Sequence, residues 1–266
     1  MVLYALFGLA PLFMSLFAAV FEFGYYGEGW IGFAAFREVF TDQTFWGSVW
    51  VTVKFTAVLF PSSMLMAIAF AVVLSWAGNK LQSFARMAFY VPCIVSVVMV
   101  SFVWRWLVLP GGPLSLITGD ILLIGSNPYA FWMVCVMVLT VTLGQPMIFM
   151  MAAFLSVDSE ISEAARLDGC SKVQEAWYIT IPMIMPVLTY LGISRFVGFL
   201  QLWEFPYAVT GGGPNYATTP ILLLIYQEAA VKGNIAHASV MTLFLLVFVV
   251  VILLAYRAVS GRRLLF

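Results

Sequence analysis

"SEAARLDGCSKVQEAWYITIPM", residues 162–183, belongs to the one densely charged passage of an oily chain. From Asp158 to Glu175 there are seven charged side chains: Asp158, Glu160, Glu163, Arg166, Asp168, Lys172 and Glu175. Long apolar runs lie on both sides. Of 266 residues, 64% are hydrophobic, 17% aromatic and only 9% charged, and mean hydropathy is +1.04. Water-soluble domains do not have this composition. Apolar stretches of about 20 or more residues recur, the length a helix needs to cross roughly 30 Å of hydrocarbon. They do not alternate as barrel strands would. An all-α membrane protein is expected, and the charged island must leave the bilayer.

Six helical spans are expected, at roughly 3–22, 47–76, 87–109, 129–155, 183–207 and 236–257. Loops follow at 23–46, 77–86, 110–128, 156–182 and 208–235, all within one transmembrane domain over 1–266. Pro61 in the longest span predicts a kink or a strong tilt. With the N-terminus inside, inner segments carry Lys80, Arg86, Arg166, Lys172, Arg257, Arg262 and Arg263, and outer loops only Arg37 and Lys232. Seven against two orients the bundle N-in and C-in, with the 156–182 loop in the cytoplasm and the 208–235 loop outside. Within the latter, "ATTPILLLIYQEAA" (217–230) is too short to span, as interfacial or re-entrant segments are.

The N-terminus is apolar from Met1, without the positive region of a cleavable signal, so the first span reads as retained. It starts so abruptly that a short cytoplasmic lead ahead of it is expected to be missing. Trp30, Trp46, Trp104, Trp106 and Trp132 crowd the expected outer ends as an aromatic belt. Zero net charge offers no basic surface for nucleic acid. Cys93, Cys135 and Cys170 have no CxxC spacing and no histidine cluster beside them, so neither a disulfide nor a metal is expected.

The island itself reads as two short helices and a tight turn. Asp158 or Ser159 can cap the first helix, and Glu160 and Glu163 favour its early turns. Gly169 ends it where a left-handed residue is cheapest. Ser171 with Gln174 forms an S-x-x-Q capping box for the second helix, which Pro182 is expected to stop. Ala164 and Ala165 let another surface come close, and Glu163 offers a charge-assisted partner to an Arg or Lys there. An ordinary solvated loop with helix caps fits the same chemistry.

The spacing tips the balance. Glu163-Ala164-Ala165, three residues, Gly169, nine residues, then Ile179-Thr180-Ile181-Pro182 resembles the EAA loop of ATP-binding-cassette importer permeases. Glu228-Ala229-Ala230 also spells EAA, but Gly233 comes one residue early and no I-x-I-P follows. Three further stretches resemble carbohydrate importers of the maltose and glycerol-3-phosphate type: "VTGGGPNYATTPILLLIYQEA" (209–229), "FYVPCIVSVVMVSFVWRWLVLPGGPLSLI" (89–117) and "WIGFAAFREVF" (30–40). The first is typical of the first of their two permease subunits. Cys170 departs from the family's usual Ala, and Val157-Asp158 from its Ile-Pro.

The resemblance implies a six-helix type I importer bundle in a bacterial or archaeal cytoplasmic membrane. It implies that Glu163, Ala164, Ala165, Asp168, Gly169 and Pro182 form a coupling element docking on an ATPase subunit. The implied partners are two ATP-binding subunits, a second homologous permease and an extracytoplasmic solute-binding protein. ATP and Mg would be used by those subunits, with no cofactor in this chain, which has no G-x-x-x-x-G-K-[ST] loop. Gly211, Gly212, Gly213 and Pro214 make a turn whose gating role rests on the resemblance alone.

Polar residues in the apolar spans are candidates for a substrate path. Arg195 lies about 12 residues past Pro182, roughly 18 Å along a helix, and must face a partner or a wet cavity. Pore-lining and structural pairing both fit. Gln145, a buried amide beside the kink expected at Pro146, needs a partner too. Gln201, Trp203, Glu204 and Tyr207 follow on the expected fifth span, and amides or carboxylates beside aromatic rings suit a sugar. His237 is expected to cap or pack, and Lys54 to snorkel outward. The same machinery carrying an amino acid, phosphate or peptide is the alternative, and an ATP-independent channel or secondary transporter a remoter one.

Overall fold

The computed structural model describes residues 9–24, 27–115, 123–126 and 129–260. The start of the expected first span, residues 116–122 and 127–128 of the third loop, and Arg262 and Arg263 lie outside the described residues. Thirteen helices are described: α1 (Ala10–Ala18), α2 (Ala34–Thr41), α3 (Gln43–Ser75), α4 (Asn79–Ile94), α5 (Val97–Val108), α6 (Tyr129–Thr142), α7 (Gly144–Leu155), α8 (Ser159–Leu167), α9 (Lys172–Met183), α10 (Met185–Leu200), α11 (Glu204–Thr210), α12 (Ile221–Val231) and α13 (Ile235–Ser260).

Helix α3 is the axis of the fold. Asp42 caps it, its Oδ1 accepting from the Thr44 N–H at 2.8 Å. The helix runs uninterrupted through Pro61 for 33 residues, about 50 Å at the helical rise. Phe45, Ser48, Thr52, Phe55, Leu59, Ser63, Ala67, Ala71 and Leu74, spaced by three and four, are buried along one face. That face threads three core clusters in turn. Phe45 packs with α12 and α13 residues such as Ile221, Leu224 and Met241. Val51, Phe55 and Leu59 meet Val134, Met137 and Val138 of α6. Ala67, Ala71 and Leu74 meet Met147, Met150 and Phe154 of α7. Small residues at the last contact let the two helices come close. Phe13, Met99, Val103 and Val247 stay exposed on the outside, which suits a bundle solvated by hydrocarbon.

Several expected spans are broken. The third is α4 and α5 at 99°, and α4 begins at Asn79, absorbing most of the expected 77–86 loop. Val95 and Ser96 between them are extended. The fourth is α6 and α7 at 44° about Leu143. The fifth begins not at Pro182 but after a 74° bend at Ile184. Helix α9 runs through Pro182 to Met183, so that proline does not stop it. A π-type turn over 176–180 widens the helix just before it, with the Ile181 N–H on the Ala176 carbonyl. Such widening accommodates the donor that proline lacks. Hydropathy reads all these runs as continuous because a bend changes no side chain's polarity.

The all-α expectation needs one amendment. Phe21–Gly24 (β1) and Gly27–Trp30 (β2) pair antiparallel, Phe21 opposite Trp30. The alternation Phe21, Glu22, Phe23 with glycines at both inner ends carries this signal, and it ends the first helix at Ala18 rather than near residue 22.

Candidate functional site

The island folds as its caps dictate. Asp158 Oδ1 accepts from the Glu160 N–H at 3.1 Å, so Asp158 caps α8. Gly169 has φ +81°, and the Cys170 N–H reaches back to the Ala165 carbonyl at 3.0 Å. This six-residue closure ends α8 as a Schellman motif. Ser171 and Gln174 complete the capping box, with the Ser171 N–H on Gln174 Oε1 at 2.9 Å. Ala165 is turned inward, while Glu163, Ala164 and Asp168 are exposed. Leu167 is 90% exposed and Tyr178 78%, so this helix pair presents apolar and acidic side chains that no described residue covers.

The substrate-path candidates converge on a second place. Helix α10 ends at Leu200, and Gln201, Leu202 and Trp203 form a break before α11. Gln201, Trp203, Glu204 and Tyr207 are therefore not on one continuous span. The break opens a cavity of about 490 Å³ lined by Gln145, Arg195, Gln201, Trp203 and Glu204, five of the six candidates. Arg195 Nη2 donates to Gln145 Oε1 at 3.1 Å, joining α10 to α7. Each was expected to need a partner, and each is the other's. The bend at Ile184 shortens the depth of Arg195 to about 15 Å from the start of α10. Among the described residues no carboxylate pairs with Arg195.

Tyr207 lines an adjoining cavity of about 570 Å³ with Ser96, Phe102 and Arg105. Trp203 and Glu204 belong to both cavities and form their shared wall. Tyr226, not singled out from the sequence, lies tilted against Trp203 (centroids 5.0 Å apart) and meets Tyr207 edge-on at 5.2 Å. Only the return of α12 brings it there. Arg105 was also missed, because a lone arginine near a helix end has an ordinary explanation in the helix dipole.

The glycine turn is held rather than free. Gly211 and Gly212 have φ +63° and +93°, and the Gly213–Pro214 bond is cis. The Thr219 hydroxyl donates to the Gly212 carbonyl at 2.8 Å and that of Thr218 to Gly213 at 2.7 Å. Thr218 and Thr219 are fully or almost fully buried. Beyond the turn, the Thr52 hydroxyl accepts from the Ile221 N–H at 2.8 Å, satisfying an orphan donor at the start of α12. Helix α12 buries Ile221, Leu223, Leu224 and Ile225. Its EAA look-alike pairs internally, Glu228 with Lys232 at 2.6 Å. His237 neither caps nor merely packs: its Nε2 lies 2.8 Å from Glu38 Oε2 on α2. Lys54 rests 5.5 Å above the Trp50 ring.

A model of the family described as binding-protein-dependent transport system inner membrane component matches residues 60–264. The lactose transport system permease protein of Rhizobium radiobacter is 29% identical over 241 residues, covering 85% of this chain and 78% of that protein. The sn-glycerol-3-phosphate transport system permease protein of Escherichia coli O6:K15:H31 is 25% identical over 253 residues, covering 92% and 84%. A chain of a bacterial alginate ABC transporter, solved with a periplasmic protein bound to an alginate pentasaccharide, superposes with a TM-score of 0.88 at 21% identity, covering 99% of this chain and 92% of that one. That last likeness speaks for the fold alone. With the matched region spanning most of the helical bundle, the chain belongs to the family of binding-protein-dependent transport system inner membrane components.

Proposed function

We propose that this chain is a permease subunit of an ATP-driven importer and that, with a second homologous permease, it forms the alternating-access path for a sugar or sugar derivative. The observation that carries the proposal is the α8–α9 pair. Its Gly169 closure and capping box hold Glu163 and Asp168 on an exposed face beside a bundle of the family's fold. On this reading Glu163, Ala164, Asp168 and Gly169 dock on an ATP-binding subunit with the buried Ala165 behind them rather than in the contact, and the run through Pro182 links that docking to the 74° bend and so to α10. Two ATP-binding subunits would bind ATP and Mg and supply the energy, and a solute-binding protein would deliver the cargo. Carbohydrate as cargo is supported by the lactose and glycerol-3-phosphate systems among the relatives and by the aromatic wall Trp203–Tyr207–Tyr226.

Six passages fit the elements: α1, α3, α4–α5, α6–α7, α9–α10 and α13, with both termini inside by the Lys/Arg asymmetry. Gly211 to Pro214 would sit at the outer mouth of the path, where α12 folds back into the bundle. Purification of the tagged chain in mild detergent tests the whole reading. Two ATP-binding subunits and a different permease should follow it, with ATP hydrolysis stimulated by a loaded binding protein. A lone oligomer that carries solute without ATP would sink it.

A further inference from the structure

We infer that the Arg195–Gln145 pair is an oxyanion subsite, so that the cargo is an acidic sugar derivative bearing a carboxylate, phosphate or sulfonate. This rests on the carbohydrate reading and narrows it.

The chemistry of the pair is one-sided. A guanidinium carries five N–H donors and no acceptor. The bond to Gln145 must therefore be accepted by the amide oxygen, which leaves the amide's own N–H groups as donors. Among the described residues the guanidinium's hydrogen-bond partner is Gln145, at 3.1 Å. Both residues line the 490 Å³ cavity, a volume in the range of small-ligand sites. Apart from the second lone pair of Gln145 Oε1, the pair thus offers the cavity donors, on a positive charge that makes no salt bridge among the described residues. A planar, forked donor of this kind matches an oxyanion in bidentate fashion.

The surroundings point the same way. Across the Trp203–Glu204 wall the second cavity holds Arg105. The two spaces together contain two guanidiniums against the single carboxylate of Glu204. Glu204 and Gln201 supply acceptors for sugar hydroxyls, and Trp203 a ring face for a pyranose. An acidic saccharide would place its charged end on Arg195 and its ring toward Trp203. A merely structural clasp between α7 and α10 would need no charge, and a neutral amide at position 195 could make the same bond.

The test uses the whole importer in liposomes, with its ATP-binding subunits, second permease and binding protein. ATP-dependent uptake is measured for glucose and galactose beside glucuronate, galacturonate, glucose 6-phosphate and a 6-sulfo-hexose. At least one acidic sugar is expected to exceed its neutral parent at least tenfold, and the panel tells which oxyanion is read. Arg195→Gln, and Gln145→Glu, which supplies an internal counter-ion, should each lower the acidic-to-neutral ratio about tenfold while the complex still copurifies. If Arg195→Gln does not assemble, the unaltered importer and Gln145→Glu decide. Uptake confined to neutral sugars, or a ratio unmoved by Gln145→Glu, overturns the inference and leaves the carbohydrate reading standing. ATP-dependent uptake of amino acids and no sugar overturns both.

Discussion

Gly144 shows how much a single atom decides. A Cβ there would overlap the carbonyl oxygen and carbon of Phe89, so α4 can lie against the start of α7 only because the side chain is missing. Next to it the Cys93 thiol donates to the Val141 carbonyl at 2.9 Å, tying α4 to α6 on the other side of the Leu143 break. Gly144→Ala should destabilise the bundle by about 1–3 kcal/mol, as overpacking does. The check is the thermal midpoint of the purified complex, where no change would mean the helices part freely. Thr52→Val keeps the shape but strands the buried Ile221 N–H, and should cost about 1 kcal/mol. Its effect belongs in hydrogen exchange at the start of α12, which should rise there before it rises elsewhere. Neither role was legible in the sequence, since both partners lie far away along the chain.

At the scale of elements, the α8–α9 pair is the most legible part of the molecule. Asp158, Gly169, Ser171 and Gln174 act within a few residues of themselves, so their spacing alone specifies cap, turn and box. Glu163→Ala should weaken retention of the ATP-binding subunits roughly tenfold, the loss of one charge-assisted hydrogen bond, with the membrane fold intact. Full retention and full transport in that variant would remove Glu163 from the docking face. Gly169→Val should impair coupling through the turn, because a left-handed β-branched residue costs about 1–2 kcal/mol. Its signature is ATP hydrolysis that no longer responds to loaded binding protein. The breaks at Val95–Ser96, Leu143, Ile184 and 201–203 were not legible in the same way, although Pro146 pointed to a kink close to Leu143. The first three lie in largely apolar runs and the fourth between Gln201 and Glu204, and packing against neighbouring helices decides where each axis turns.

For the whole molecule the central question is which face looks inward. Cys170 lies in the turn between α8 and α9 and is partly exposed, whereas Cys135 is buried. A membrane-impermeant maleimide should therefore label Cys170 in inside-out vesicles and leave it untouched in right-side-out ones, as read by mass spectrometry of that peptide. The reverse pattern would invert the proposed orientation. Sidedness also fixes which way the two cavities open. Arg105 and Tyr207 would then lie nearer the outer mouth, and Arg195 deeper in the path.

Composition and short-range patterning determined by themselves that this chain lives in a membrane as helices, and where its capped, charged island falls. Hydrophobic content and helix caps are local properties, and a sequence displays them directly. Arg195 and Gln145 each showed a need, because a polar group in hydrocarbon must be satisfied, but not with whom. Fifty residues separate them, and only the bent packing of α7 against α10 made them partners. Tyr226 joined Trp203 and Tyr207 for the same reason: α12 folds back beside the break. The site is made where helices stop being straight, and the energy that bends them lies in tertiary contacts.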